Sequence, residues 1–279
     1  MKLTFSVLTI LTVLGLVSCN KFKVTTTENG DRLLIHEKGK SGKVGKDGDI
    51  ISFDLIIKTA ADSVIKDSYK EGQSFTVPVQ KGAFKGSFEN ALYFIGEGDS
   101  TTVLVNADSL FKLMNQPLAP GITKGSDLKF TVKMHKVQTR VEFEKELADK
   151  KANEPKIIEE FVAKSMKNAQ KMTEGIYYVE KNVGAGATPV NGEIVVVDYV
   201  GKFMDGKIFD QSNGQPFEVP LGEGRVIPGW EIALKTMKKG GKSTFIIPSA
   251  LAYGEQGGGP IAPNTPLVFD ITLTDIKKK

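Results

Sequence analysis

The chain repeats itself, and this constrains its fold more than any other feature. Asp47-Gly-Asp-Ile-Ile-Ser-Phe-Asp54 lies over Asn191-Gly-Glu-Ile-Val-Val-Val-Asp198 without a gap, at an offset of 144 positions. After a two-residue slip the register becomes 142: Gln73-Ser-Phe-Thr-Val-Pro78 lies over Gln215-Pro-Phe-Glu-Val-Pro220, and Phe88-Glu-Asn-Ala-Leu92 over Trp230-Glu-Ile-Ala-Leu234. A period this long is no solenoid unit. Each copy is therefore expected to be a domain of roughly 100 residues with its own core, and 279 residues accommodate two.

Residues 139–173 between the copies are different material. Glu142-Phe-Glu-Lys-Glu-Leu-Ala-Asp-Lys-Lys151 is charged and free of glycine, and Ile157, Ile158, Phe161, Val162 and Met166 recur at helical spacing after Pro155. This predicts a helical linker whose apolar stripe packs on a neighbouring domain; a partner-binding helix is the alternative. In the second copy, Glu193 to Phe203, Phe217 to Pro220, Lys242 to Pro248 and Leu267 to Ile276 are rich in β-branched residues and read as strands. Trp230, Ala233, Leu234 and Met237 share one face of a short helix opened by Pro228-Gly229 and ended by Gly240-Gly241. One helix against several strands is an α+β layer pair. Ser249 to Thr265, with three successive glycines, reads as a loop at the rim of a concave pocket floored by Trp230.

At the other end, Lys2 and the apolar run Phe5 to Val17 have the charge and length of a signal peptide, over residues 1–18, and are short for a membrane span. Leu16-Val-Ser-Cys19 resembles a bacterial lipobox, in which the thiol accepts a diacylglycerol and becomes the mature N-terminus. The reading is an exported protein, lipid-anchored through Cys19 to a bacterial membrane, facing the periplasm or the cell surface, with residues 19–27 as a polar tether. A single cysteine excludes an internal disulfide, so stability must come from packed cores. A net charge of +4 with scattered lysines argues against nucleic acid as a partner.

Both histidines, His36 and His135, fall in the first copy, so the second holds no Ser-His-Asp arrangement. No His, Cys or Asp cluster has metal-ligand spacing, and neither a metal nor a cofactor is expected. Gly241-Lys-Ser243 lacks the first glycine of a phosphate loop, whose place Thr236 holds, and reads as a turn. What remains is an aromatic pocket with sparse polar groups: Asp210, the hydroxyls of Tyr199 and Tyr253, and the Trp230 indole N–H. That suits a reaction needing neither nucleophile nor metal, such as rotation about a prolyl peptide bond.

At these residues the sequence resembles the FKBP-type peptidyl-prolyl cis-trans isomerases. The carrying segments are Val197-Asp-Tyr-Val-Gly201, Lys207-Ile-Phe-Asp-Gln-Ser212, Pro216-Phe217, Val226-Ile-Pro-Gly-Trp230, Ala250-Leu-Ala-Tyr-Gly254 and Leu267-Val-Phe-Asp270. The resemblance implies an α+β chain of two FKBP-like domains, each a curved antiparallel sheet packed on a short helix. It implies that Trp230 is the platform under the proline ring, walled by Tyr199, Phe209, Val226, Ile227 and Phe269, with Phe217 and Ile261 completing the rim. Asp210 would act at the reacting carbonyl region or hold Tyr199, and Tyr253 would donate to a substrate carbonyl. Partners would be proline-containing polypeptides, namely exported folding clients, with macrolides as inhibitors. Gln256-Gly-Gly-Gly-Pro-Ile261 departs from bulkier rims seen in some members, which bears on sequence preference and inhibitor fit.

Under the repeat register, Tyr199 becomes Leu55, Phe209 becomes Ile65, Asp210 becomes Lys66, Ile227 becomes Lys85, Trp230 becomes Phe88 and Tyr253 becomes Phe111. Phe75 and Phe130 keep their core character. The expectation is a degenerate, inactive domain at residues 28–138 and a catalytic one at residues 174–279. The alternative function is a non-catalytic chaperone or interaction lipoprotein using both modules as binding scaffolds.

Overall fold

The computed structural model describes residues 23–278; the signal peptide and the lipidation expected at Cys19 lie outside them. In the first copy the strands are β1 (Val24–Thr26), β2 (Arg32–Glu37), β3 (Ile50–Lys58), β4 (Val64–Asp67), β5 (Phe75–Pro78), β6 (Ser100–Asn106) and β7 (Asp127–Gln138), with short helices α1 (Ser68–Glu71), α2 (Phe88–Ala91) and α3 (Ala107–Leu113). Then comes α4 (Arg140–Ser165). The second copy has β8 (Gln170–Lys171), β9 (Tyr177–Asn182), β10 (Glu193–Lys202), β11 (Ile208–Gln211), β12 (Phe217–Pro220), helix α5 (Pro228–Leu234), β13 (Lys242–Ile247) and β14 (Leu267–Lys278).

The two sheets follow the same path. The first runs β1-β2-β6-β7-β3-β4 with β5 beside β3, and the second β8-β9-β13-β14-β10-β11 with β12 beside β10. The likeness extends to irregularities. The β3/β7 ladder shifts register between Ser52 and Phe53, and the β10/β14 ladder between Val196 and Val197, which are the repeat equivalents. A second pair of shifts, at Ile57/Lys58 and Gly201/Lys202, is equivalent too. Bulges bend a strand and increase its twist, so each sheet curls around its helix at matching places. A side-chain clasp also recurs: Ser68 Oγ donates to Asp54 and accepts from Leu55 N, and Ser212 Oγ donates to Asp198 and accepts from Tyr199 N.

Alternation along the strands builds the cores. Phe245 and Ile247 on β13, and Leu267, Phe269, Ile271 and Leu273 on β14, point at α5, whose buried face is Trp230, Ala233 and Leu234. The helix stops at Leu234, short of the expected glycines; Met237 is buried beyond it, in turns closed by Thr236 N to Ala233 O and Met237 N to Leu234 O.

The intervening residues Ile246 and Val268 face the other way and would meet water, but Ile158 and Met166 of the linker cover them, with Phe161 and Val162 alongside. The apolar stripe thus docks on the second copy. Ile157 is off the stripe and exposed, a correction set by the helical phase. Helix α4 starts with a capping box, Thr139 to Glu142, as its Thr-x-x-Glu spacing prescribes, and runs through Pro155 without ending.

Two boundaries need correcting. Val24–Thr26, assigned to the tether, pairs with β2, so the first sheet begins inside the segment judged polar; Val and Thr are good strand formers on an exposed edge. Gln170–Lys171, assigned to the linker, pairs with β9 and begins the second sheet.

Candidate functional site

The second copy holds a cleft of about 440 Å³ over the start of α5. Nine of the ten aromatic, apolar and polar residues expected there line it: Tyr199, Phe209, Asp210, Phe217, Val226, Ile227, Trp230, Tyr253 and Phe269. Ile261 does not. It is buried in the core cluster, because reciprocal hydrogen bonds between Gly258 and Ile261 close a tight turn in the rim loop. Arg225, Pro228 and Ala252 join the lining without having been assigned to it.

Trp230 is the floor, only 4% exposed. Its neighbours stand on edge: the ring centroids of Tyr199, Phe269 and Phe217 lie 4.9, 5.3 and 6.3 Å away at interplanar angles of 85°, 87° and 77°. Perpendicular rings present walls around the indole face, a favoured arrangement for aromatic quadrupoles. Phe209 stands at 89° to Phe269, 5.7 Å away, extending the wall. This needs Gly201: a Cβ there would lie 2.7 Å from Phe209 and 3.0 Å from Phe269. Gly258 does the same for the rim, since a Cβ would come within 2.9 Å of the Tyr253 ring. The indole N–H, counted among the cleft's polar groups from sequence, is buried without a partner.

The polar groups gather at one end. Tyr199 Oη donates to Asp210 Oδ2 at 2.7 Å, and Asp210 Oδ1 accepts from Gln211 N at 2.9 Å. Burial, then the hydrogen bond to Asp210 and its charge, push the Tyr199 phenol well above its ordinary value. Tyr253, 41% exposed, is raised by burial and by the charge of Asp210. Both hydroxyls therefore stay protonated as donors at neutral pH, beside a carboxylate acceptor. Behind the wall, on the opposite face of β14, Asp270 receives Lys202, Lys181 and Thr244. Burial alone would raise this carboxyl, yet those donors bring it down to about 2.

The equivalent region of the first copy is arranged differently. Lys66 pairs with Glu71 at 2.6 Å and lies 5.5 Å from the Phe75 centroid. Ile65 is exposed, Leu55 is buried, and Phe111 packs on the core with Leu118 and Ile122 of the following loop. An opening of about 720 Å³ in this copy lies elsewhere, between Glu28, Lys81, Lys85 and Phe94.

Comparison with known proteins agrees with this arrangement. The family model described as FKBP-type peptidyl-prolyl cis-trans isomerase matches residues 42–135 and again 186–274, more than half of the chain. The probable FKBP-type isomerase FkpA of Neisseria meningitidis serogroup B is 44% identical over 137 residues, covering 48% of this chain and 50% of that protein. FkpA of Escherichia coli K12 is 33% identical over 222 residues, covering 72% of this chain and 80% of its own length. The chain thus spans half the length of the first relative and four fifths of the second. The crystal structure of Escherichia coli FkpA aligns at 40% identity with a TM-score of 0.45, over 50% of this chain and 64% of that one. Matched twice by one family model, once over each half of its repeat, the chain belongs to the FKBP-type peptidyl-prolyl cis-trans isomerases.

Proposed function

We propose that the second copy is the catalytic domain, that it takes a prolyl ring into the cleft over Trp230, and that it lowers the barrier to rotation of the preceding amide. The observation that carries this is the set of rings standing edge-on around a floor indole, with the Tyr199–Asp210 pair and Tyr253 at one end. Resonance sets the barrier at roughly 18–20 kcal/mol, and an X-Pro bond takes tens to hundreds of seconds to turn. An apolar cleft disfavours the charge-separated resonance form, and contacts that fit only the twisted amide stabilise it further. Each tenfold gain takes about 1.4 kcal/mol, so a few such contacts suffice. In this reading Tyr253 donates to a substrate carbonyl, while Asp210 holds Tyr199 upright and faces the reacting region.

The clients are exported polypeptides whose folding waits on proline, a slow step among folding events. That part rests on the signal-peptide pattern and on Cys19, and a Cys19→Ser variant that still fractionates with membranes would overturn the anchor. The catalytic reading is tested by proline-limited refolding with the intact protein, Asp210→Ala and Tyr253→Phe. The two variants should lag; equal rates in all three would defeat it. A binding role for the first copy is favoured by its exposed Val64, Ile65, Tyr69, Leu113 and Met114. Suppression of client aggregation that survives Asp210→Ala would show that both roles coexist.

A further inference from the structure

The loop that carries Tyr253 is held from outside its own domain. Glu154, on the linker helix and only 7% exposed, accepts two hydrogen bonds from Ser249: its Oε1 from the backbone N–H and its Oε2 from Oγ, both at 2.5 Å. Two turns earlier on the same helix, the Leu147 carbonyl accepts from the Asn264 side chain at 3.0 Å, and between these points Lys151 meets Glu255 at 2.6 Å. The loop is therefore gripped at its start, its middle and its end. The exposed Lys151–Glu255 pair contributes little; the buried carboxylate and the buried Asn264 dominate.

The grip leads to the cleft through the backbone. Ser249 O accepts from Ala252 N at 2.9 Å and from Gly254 N at 2.8 Å, and Gly254 O accepts from Asn264 N at 2.9 Å. Both clamped residues thus bond to the immediate neighbours of Tyr253, and Ala252 and Tyr253 line the cleft. Just upstream, the helix is fastened to the first copy: Glu146 accepts from Lys136 and from Gln138, and Glu142 pairs with Lys43. The same helix that joins the copies serves as a strut for the catalytic rim.

We propose that Glu154 is a positioning residue for isomerisation, fixing Ser249 and, through the backbone around Gly254, the placement of Tyr253 and Ala252 against substrate. This rests on the reading of Tyr253 given above. A carboxylate suits the task because it alone accepts from the amide and the hydroxyl of one serine at once, and charge-assisted bonds are stronger than neutral ones.

The test uses the full chain and isomerisation of a prolyl tetrapeptide. Glu154→Ala should raise KM about tenfold with kcat within about twofold, the pattern of lost positioning. A merely structural role would lower the active fraction and leave KM unchanged, and that result in a folded protein overturns the proposal. Glu154→Gln, which keeps one acceptor oxygen, should recover part of the loss. In a Tyr253→Phe background, Glu154→Ala should add less than about twofold, and fully additive losses would overturn action through Tyr253. If Glu154→Ala does not fold, Ser249→Ala carries the same comparison, since it removes one of the two bonds. An unaltered Tyr253→Phe defeats the reading of that hydroxyl, whereas an unaltered Glu154→Ala beside an impaired Tyr253→Phe defeats the strut alone.

Discussion

At the start of the short helix the first copy places Phe88 and the second Trp230, and the strand phenylalanine beside each meets it differently. Phe88 lies nearly flat on Phe130, 5.0 Å between centroids at 29°, while Trp230 meets Phe269 at 87°. Phe130 and Phe269 hold the same ladder position, opposite Ile57 in one copy and Gly201 in the other. A flat pair fills the space over the helix, and an upright pair encloses it. In the second copy Gly201 also makes room for Phe209, whereas Ile57 brings a side chain of its own. The same curled sheet thus supports either a filled core or an open cup, depending on ring tilt and one small residue.

The comparison breaks most visibly at the floor. Trp230→Leu should lower kcat/KM about 100-fold, a loss of about 2.7 kcal/mol of transition-state binding, while Phe88→Leu should leave turnover within about twofold and lower stability by about 1–3 kcal/mol. Peptide isomerisation kinetics and urea melts on both variants check this; equal kinetic losses would mean both copies are active. Gly201→Val comes next. Its added carbons collide with Phe209 and Phe269, so kcat/KM should fall about tenfold, with about 1–3 kcal/mol of overpacking strain in the melt. Ile57→Gly at the matching site should cost stability without affecting rate.

A smaller effect concerns acid. The folded carboxyl of Asp270, held at about 2, lies below its ordinary value of 3.8. A depressed carboxylate contributes stability above the unfolded value and loses it as pH falls through the folded one. Thermal melts should therefore show this contribution intact above about pH 4 and fading towards pH 2, with Asp270→Asn flattening that part of the profile. Thr131 holds the equivalent place in the first copy, so the effect belongs to the second sheet. Smallest of all, kcat/KM should stay level from about pH 7 to 9, because the phenols of Tyr199 and Tyr253 are both raised. A fall across that range would show that one of them ionises early.

Much of the fold could be read from the chain because the repeat fixed strand phases twice over. Glu193, Phe217, Lys242 and Leu267 open strands where β-branched residues cluster. Tyr177–Asn182 and Ile208–Gln211 were not anticipated: the first lacks alternation, and the second is four residues at a sheet edge with only Phe209 half-buried. Within the cleft, the aromatic set was legible because large rings in a short span need a common surface. The inward turn of Ile261 was not, since it depends on backbone bonds within a glycine run that has no periodicity. Glu154 was hidden for a different reason: in a charged helix, nothing in the sequence distinguishes a carboxylate that will be buried from one that faces water.

The cleft floor is also the chain's only tryptophan. Intrinsic emission excited at the red edge, where tyrosine does not absorb, therefore comes from one indole at one place, with no signal from the first copy. Occupancy of the cup by a proline-containing peptide can be followed in the unlabelled, full-length protein, and a peptide held solely by the first copy would be optically silent.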